Sequence, residues 1–199
     1  MNTELIRVES KSIDRAIIDK VVDVLNSNGV VGIPTETVYG LAANSKDKDA
    51  LDRLYDIKKR PKDKPFTIQI AEISQLRYYI DDISPKLDLI LKKYWPGPLT
   101  IIVKGKKGDV GLRIPNNRAA LSILKHSGMP LAVTSANISG ESSAISAEEA
   151  FNRFKGSVDI IIDDGKMPKG VESTILDCRS EPFTIARKGA MAAEIERLL

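Results

Sequence analysis

Gly29-Val-Val-Gly-Ile33-Pro34-Thr-Glu-Thr-Val-Tyr-Gly-Leu41 is the stretch whose reading decides the fold. Its apolar, β-branched run, Val30 to Ile33, reads as a buried strand that stops at Pro34. Two threonines, a glutamate, a tyrosine and a glycine follow at the strand's carboxyl end. In open α/β sheets that is where ligands sit. The hydroxyls of Thr35 and Thr37 are small donors that reach a carboxylate or a phosphate. The same residues also suit a strand followed by a helix start with a threonine cap. Both readings stay open on this segment alone.

Working outward, short apolar runs alternate with helical patterns. The strand candidates are 30–33, 66–71, 99–103, 110–114, 131–134, 158–162, 174–177 and 183–186. The helix candidates are 13–26, 49–59, 73–79, 85–94, 119–126, 147–154 and 190–198. This alternation predicts an α/β fold, a mixed sheet flanked by helices. Ser84 before Pro85 is a cap followed by a first-turn proline, and Leu87, Ile90, Leu91 and Tyr94 form one apolar stripe. Trp95-Pro-Gly-Pro98 stops that helix. The small, polar run from Ser139 to Ser146 reads as the mobile loop of the chain. With no repeat and no long linker, residues 1–199 read as a single domain.

Composition sets the outer bounds. The 199 residues are 42% hydrophobic and 29% charged, a globular balance sufficient for one sizeable core. Net charge is +3, too slight to argue for nucleic acid by itself. One cysteine, Cys178, excludes an internal disulfide and a cysteine-rich metal site. No apolar stretch approaches the roughly 20 residues that span a bilayer. Met1 to Ser12 is polar and charged, unlike a secretory signal. The expectation is a soluble cytoplasmic protein with no membrane partner.

The clearest chemical signal lies before Pro61. Leu51, Leu54, Tyr55 and Lys58 follow i, i+3, i+4, i+7 spacing, which places Lys58 on the apolar face. An ammonium there is costly unless it meets an anion. Arg60 is biased toward extended backbone by Pro61. Lys58 and Arg60 can therefore converge on one anion, a phosphate being the natural match to a lysine point charge and an arginine fork. Lys59 and Lys62 read instead as a solvated basic helix end. Leu131-Ala-Val-Thr-Ser-Ala-Asn-Ile-Ser-Gly140 gives a buried strand with Ser135 and Asn137 two apart, pointing the same way if the strand continues. They could hold a phosphate, an adenine edge or a carboxylate, or mark an ordinary turn. His126 lacks the context of a Ser-His-Asp triad. Neither a Walker A pattern nor G-x-G-x-x-G occurs. Lys104 to Gly108 reads as a basic turn. Asp163-Asp164-Gly165 suits a turn as well as a magnesium ion.

Seven segments, in order, resemble the YrdC-like family, the threonylcarbamoyl-AMP synthases. They are Pro34 to Leu41, Lys58-Lys-Arg-Pro61, Trp95 to Thr100, Arg113-Ile-Pro115, Ser135 to Gly140, Gly170-Val-Glu-Ser-Thr174 and Arg187-Lys-Gly189. The resemblance includes the family's Lys-x-Arg and later Ser-x-Asn. It implies a single twisted α/β domain with a basic concave cavity. The implied activity is a nucleotidyl transfer that condenses L-threonine, bicarbonate and ATP, with Mg²⁺, to threonylcarbamoyl-AMP and pyrophosphate. That product feeds the threonylcarbamoyladenosine modification of tRNA. By resemblance Lys58, Arg60, Ser135, Asn137 and Arg187 hold ATP, with Lys58 and Arg60 acting on the reacting phosphate. Thr35, Arg113 and Ser173 hold threonine. No protein metal ligand is implied.

The chain departs from the family at Gln69, where histidine is common, at Lys188, where proline is common, and at Ser143-Ala-Ile145, where Ser-Pro-Thr is common. It resembles the short form, which implies downstream tRNA-modification proteins as partners and at most weak binding of tRNA itself. Two rival functions are a non-catalytic RNA-binding protein and a paralogue making a different carbamoyl-adenylate. Against the first, aromatics are 5% of the chain, which leaves few stacking platforms.

Overall fold

A computed structural model describes residues 2–9 and 13–199. The expectation for Met1 to Ser12 therefore lies partly outside the described residues. Ten strands form one mixed sheet in the order β1-β8-β2-β3-β7-β4-β6-β5-β9-β10. They are β1 Glu4–Arg7, β2 Val31–Ile33, β3 Gly40–Asn44, β4 Thr67–Gln69, β5 Leu99–Gly105, β6 Gly108–Arg113, β7 Leu131–Ser135, β8 Ile160–Asp163, β9 Thr174–Asp177 and β10 Thr184–Arg187. The helices are α1 Arg15–Asn26, α2 Lys48–Lys58, α3 Pro85–Tyr94, α4 Arg118–Ser127, α5 Ala147–Phe154 and α6 Ala192–Glu196, with a 3₁₀ turn at Ile73–Tyr78.

Of the two readings of the opening stretch, the helix start is the one the structure contradicts. β2 does end at Ile33, but the chain then loops back into β3, antiparallel to β2, with Ile33 opposite Gly40. No helix starts there. Thr35 and Thr37 are therefore loop residues at the open end of a strand pair. β1 and β3 are additions to the expected strands.

Pleating distributes the core. Val31 and Ile33 of β2, Ala42 of β3 and Val133 of β7 pack with Val21 and Leu25 of α1 and Ile123 and Leu124 of α4. Their neighbours Leu41, Ala43, Ala132 and Ile161 face the other way, onto Ala50 and Leu54 of α2 and Ala150 and Phe154 of α5. This period-2 alternation is what a sheet covered on both faces demands. On that second face the core continues along β6, β5 and β9 through Leu112, Ile101 and Leu176, onto Leu87, Ile90 and Leu91 of α3. Ser84 caps α3 as expected, its hydroxyl accepting from the Leu87 amide at 3.3 Å.

On the first face the β4, β6, β5 and β9 segment is different. Register places Thr67 beside Val133, Gln69 beside Arg113 and Thr100 beside Ile175 on that side. These residues line a cleft. This part of the sheet thus carries core on one face and a polar floor on the other.

Candidate functional site

Lys58 ends α2 and is 1% exposed, as its place on the apolar stripe predicts. Lys59 caps the helix in the left-handed region, at φ 49°, and is exposed. The Lys58 ammonium donates to the Ser135 carbonyl at 2.6 Å, the Asn137 carbonyl at 2.5 Å and Asn137 Oδ1 at 2.6 Å. All three of its N–H bonds are spent on one turn. Burial, with the charge of Arg60, pushes its pKa down to about 8. Lys58, Ser135 and Asn137 thus form one unit. Strand β7 ends at Ser135, so Ser135 and Asn137 do not lie on a continuing strand. Instead the Ser135 hydroxyl donates to Asn137 Oδ1 at 2.7 Å, and Asn137 Nδ2 donates to the Glu141 carbonyl at 2.7 Å.

Arg60 turns away from the helix. Its Nε donates to the Lys64 carbonyl at 2.8 Å and Nη2 to the Pro65 carbonyl at 3.0 Å, and its guanidinium lies over the Phe66 ring. Arg60 lines both the main cleft and a second hollow beside it, which Lys58, Asn137 and Gly140 also line. Ser135, Glu172 and Arg187 are shared by the two as well. The main cleft holds about 150 Å³ and the second about 340 Å³. The first is below the roughly 300–1,000 Å³ typical of drug-sized ligands, and the second falls at its lower limit.

The expected threonine residues meet in the main cleft. Arg113 ends β6 and is buried. Its Nη2 lies 2.9 Å from Glu36 Oε2 and donates to Thr37 Oγ1 at 3.1 Å, while Nε donates to the Gly97 carbonyl at 3.2 Å. Glu36 is itself buried, and neither of its oxygens has an aligned hydrogen bond, so Arg113 is its charge partner. Thr35 Oγ1 donates to the Val38 carbonyl at 2.6 Å and shares a 2.8 Å hydrogen bond with Thr37 Oγ1. Ser173, just before β9, shares a 2.8 Å hydrogen bond with Thr100.

Arg187 ends β10 and reaches the same place. Its Nη2 donates to the Ser173 carbonyl at 2.8 Å and to Ser173 Oγ at 3.2 Å, and Nη1 pairs with Glu172. Gly189 permits this approach, because a Cβ there would stand 2.4 Å from the Glu172 carbonyl oxygen. Burial, and repulsion from Arg113 and Arg60, lower the Arg187 pKa against the pull of Glu172.

Three features go beyond or against the sequence reading, which names Gln69 only as a departure from the family and the loop 139–146 as mobile. The Gln69 side chain is 3% exposed on the cleft floor, and its Oε1 has no hydrogen-bond partner. Glu36 and Glu172 are the acids that hold Arg113 and Arg187. The loop 139–146 is pinned and not free. Ser143 donates to Glu172 at 2.7 Å, Arg153 to the Ser142 carbonyl at 2.5 Å, and the Ala144 amide to the Ala136 carbonyl at 3.0 Å. Asp163 Oδ1 accepts from the Gly165 amide at 2.9 Å, which is the turn reading of that segment. Tyr39 is fully buried, donating to the Gly165 carbonyl at 2.8 Å, and burial raises its pKa.

The cleft and its fold define a class, and comparison with known proteins assigns the chain to it. The Sua5/YciO/YrdC family model, described as telomere recombination, matches residues 23–189, and the chain belongs to that family. Threonylcarbamoyl-AMP synthase of Bacillus subtilis (strain 168) is 38% identical over 181 residues, covering 85% of this chain and 52% of that protein. The crystal structure of Pyrococcus abyssi Sua5 complexed with L-threonine superposes with a TM-score of 0.92 at 33% identity, over 100% of this chain and 61% of that one. Escherichia coli YciO has a TM-score of 0.84 at 26% identity, with 96% and 97% covered. The chain spans about half the length of the Bacillus subtilis and Pyrococcus abyssi synthases it matches. Among the described residues no helix is long and apolar enough to cross a membrane.

Proposed function

We propose that this chain condenses L-threonine, bicarbonate and ATP to threonylcarbamoyl-AMP and pyrophosphate, a nucleotidyl transfer supplying tRNA modification. The observation that carries the reading is the junction of two polar hollows. One is built around Arg113, Thr35 and Ser173 and the other around Lys58 and Asn137, and they share Arg60, Ser135 and Arg187. A receptor for an amino-acid carboxylate beside a receptor for phosphates suits a reaction that joins two anions. The relatives named threonylcarbamoyl-AMP synthase and the L-threonine complex of Pyrococcus abyssi Sua5 support the same assignment.

In this mechanism Arg113 takes the threonine carboxylate and the hydroxyls around Thr35 and Ser173 orient the side chain. The amine joins bicarbonate with loss of water, giving a carbamate. A carbamate oxygen then attacks the α-phosphorus, and the bond to the β,γ-phosphates breaks to release pyrophosphate. Arg60 and Arg187 neutralise the developing charge. Lys58 acts with Ser135 and Asn137, fixing the turn whose groups meet the nucleotide. No protein nucleophile is needed.

Mg²⁺ belongs to this scheme as part of the substrate. Among the described residues no group of three or more His, Cys, Asp or Glu side chains could hold a metal, and Glu172 is engaged by Arg187 and Ser143. Such a donor set does not make a resident cage, so the ion would arrive on the triphosphate with phosphate oxygens and water as ligands. The test is to supply purified protein with threonine, bicarbonate and MgATP and to measure pyrophosphate. Release that requires both threonine and bicarbonate is expected. Tight, salt-resistant tRNA binding without ATP binding would favour the RNA-binding reading, since phosphate-backbone contacts weaken steeply with salt. Equal use of other amino acids would favour a different carbamoyl-adenylate.

A further inference from the structure

Glu172 stands where the hollows of the cleft meet. It lines the main cleft, the hollow beside Lys58 and Arg60, and a third one under the loop 139–146. Its carboxylate is held from two sides. Arg187 Nη1 pairs with Oε2, and Ser143 Oγ donates to Oε1 at 2.7 Å. The rest of the Arg187 fork is fixed on Ser173. The arm of Arg187 that an arriving phosphate oxygen would use is therefore the arm that Glu172 holds.

The charges around it give this pair a reason. Arg187 is close enough to Arg60 and Arg113 to be repelled by both, and Glu172 feels the attraction of Lys58 as well as Arg187. Half-buried cations gathered at one place repel each other unless an anion lies among them. Glu36 is tied to Arg113 below the cleft floor, and Glu141, which also lines the hollow beside Lys58, is exposed, so Glu172 is the half-buried carboxylate that Arg187 and Lys58 attract. Burial pushes Glu172 up, but the Ser143 hydrogen bond and the Arg187 charge outweigh it, and its pKa is held below the ordinary carboxylate value. It is an anion under physiological conditions.

We propose that Glu172 is a built-in competitor for phosphate, occupying the Arg187 fork until a nucleotide phosphate displaces its carboxylate toward Ser143, and returning as pyrophosphate leaves. The inference rests on the nucleotide reading of this site and deepens it. It sets a direction that a purely structural role would not. A carboxylate that only positions Arg187 helps the site bind phosphate, so its loss weakens binding. A competitor opposes phosphate, so neutralising it strengthens binding. The gain comes with a cost, because without the returning carboxylate pyrophosphate leaves more slowly.

Glu172→Gln tests the sign. The amide keeps the size of the side chain, and its one oxygen can accept from Arg187 while its NH₂ donates to the Ser143 hydroxyl, but it carries no charge. Binding of inorganic pyrophosphate with Mg²⁺, and of MgATP, is measured by calorimetry, and threonine is titrated separately. Pyrophosphate is expected to bind on the order of tenfold tighter to the variant, about 1.4 kcal/mol, with threonine affinity unchanged. Folded Glu172→Gln protein that binds pyrophosphate equally or more weakly overturns the inference and leaves the synthase reading standing. Wild-type protein that binds neither pyrophosphate nor MgATP overturns both. Tighter pyrophosphate binding without threonine-dependent pyrophosphate formation sustains the competitor and rejects the synthase. Should the variant not fold, the carboxyl carbon-13 resonance of Glu172 is followed in wild-type protein during pyrophosphate titration. Displacement requires that resonance to shift, and an unmoved signal at saturation refutes it.

Discussion

Replacing Lys58 with methionine removes an ammonium and keeps most of the buried stem. Two effects oppose each other. The ammonium makes three short hydrogen bonds to the turn at Ser135 and Asn137. Each bond to a charged donor contributes about 1.5–3 kcal/mol. Asn137 Oδ1 also accepts from Ser135 Oγ and the Ser135 carbonyl from the Asn137 amide, so the turn keeps part of its satisfaction. Against this, holding the ammonium in the interior lowers its pKa from 10.5 to about 8. That difference corresponds to roughly 3 kcal/mol. The expected net loss on Lys58→Met at pH 7 is therefore about 2–4 kcal/mol, so the fold weakens along with the site. The sign of the pH dependence follows from linkage. Between about pH 8 and 10.5 the unfolded chain binds this proton and the folded chain does not. Stability contributed by the position thus rises with pH through that window. Urea unfolding of both proteins from pH 7 to 10 reads it, because all other groups cancel in the difference. Wild type should gain on Lys58→Met by about 1.4 kcal/mol per pH unit at most. A wild-type advantage that shrinks as pH rises would show that the three oxygens raise the ammonium's pKa, and would refute the reasoning.

Arg60→Ala opens no apolar cavity but gives up the bonds to the Lys64 and Pro65 carbonyls and the Phe66 contact, so its melting temperature should fall modestly, while turnover falls on the order of 10²-fold, as for other fixed charge stabilisers. Gln69→Leu removes a buried acceptor that has no partner, so stability should hold while the threonine requirement rises; a threonine titration beside a thermal melt separates the two. Arg113→Met should raise the threonine requirement more than the ATP requirement, and should also destabilise, because Glu36 is left buried without its counter-charge. A matching Glu36→Gln change should recover part of that stability loss in urea unfolding. Thr35→Val should lower stability as well as threonine affinity, since its hydroxyl closes the loop onto the Val38 carbonyl; loss of affinity at unchanged stability would contradict that.

How much of this was legible differs from residue to residue for identifiable reasons. The inner position of Lys58 follows from helical spacing, a local property that sequence carries in full. Its partners do not, because Asn137 is 79 residues away and is brought there by sheet register. β3 escaped notice because Gly40-Leu-Ala-Ala-Asn44 is built of small residues with weak strand preference. The sheet explains the choice at Gly40, where a Cβ would stand 2.9 Å from a Val133 methyl group. β1 is a four-residue edge strand bounded by Glu4 and Arg7, and charged, short edges resist pattern reading by the same features that keep them from aggregating.

The loop 139–146 shows a different gap between sequence and structure. Small polar residues read as mobility, yet here their backbone and hydroxyl groups are taken up by Arg153, Glu172 and the neighbouring strand end. The acids were missed for a related reason. Cations announce an anion site by number and spacing, as at Lys58 and Arg60, whereas Arg113 and Arg187 are placed in the site by the family resemblance alone. A single glutamate inside Pro-Thr-Glu-Thr or Gly-Val-Glu-Ser announces nothing until folding sets it against an arginine. Yet those two carboxylates decide how much positive charge the cleft offers. Glu36 is locked with Arg113 beneath the floor, whereas Glu172 lines the cavity within reach of ligand. Neutralising Glu172 should therefore tighten anion binding, whereas neutralising Glu36 should first be felt as altered stability.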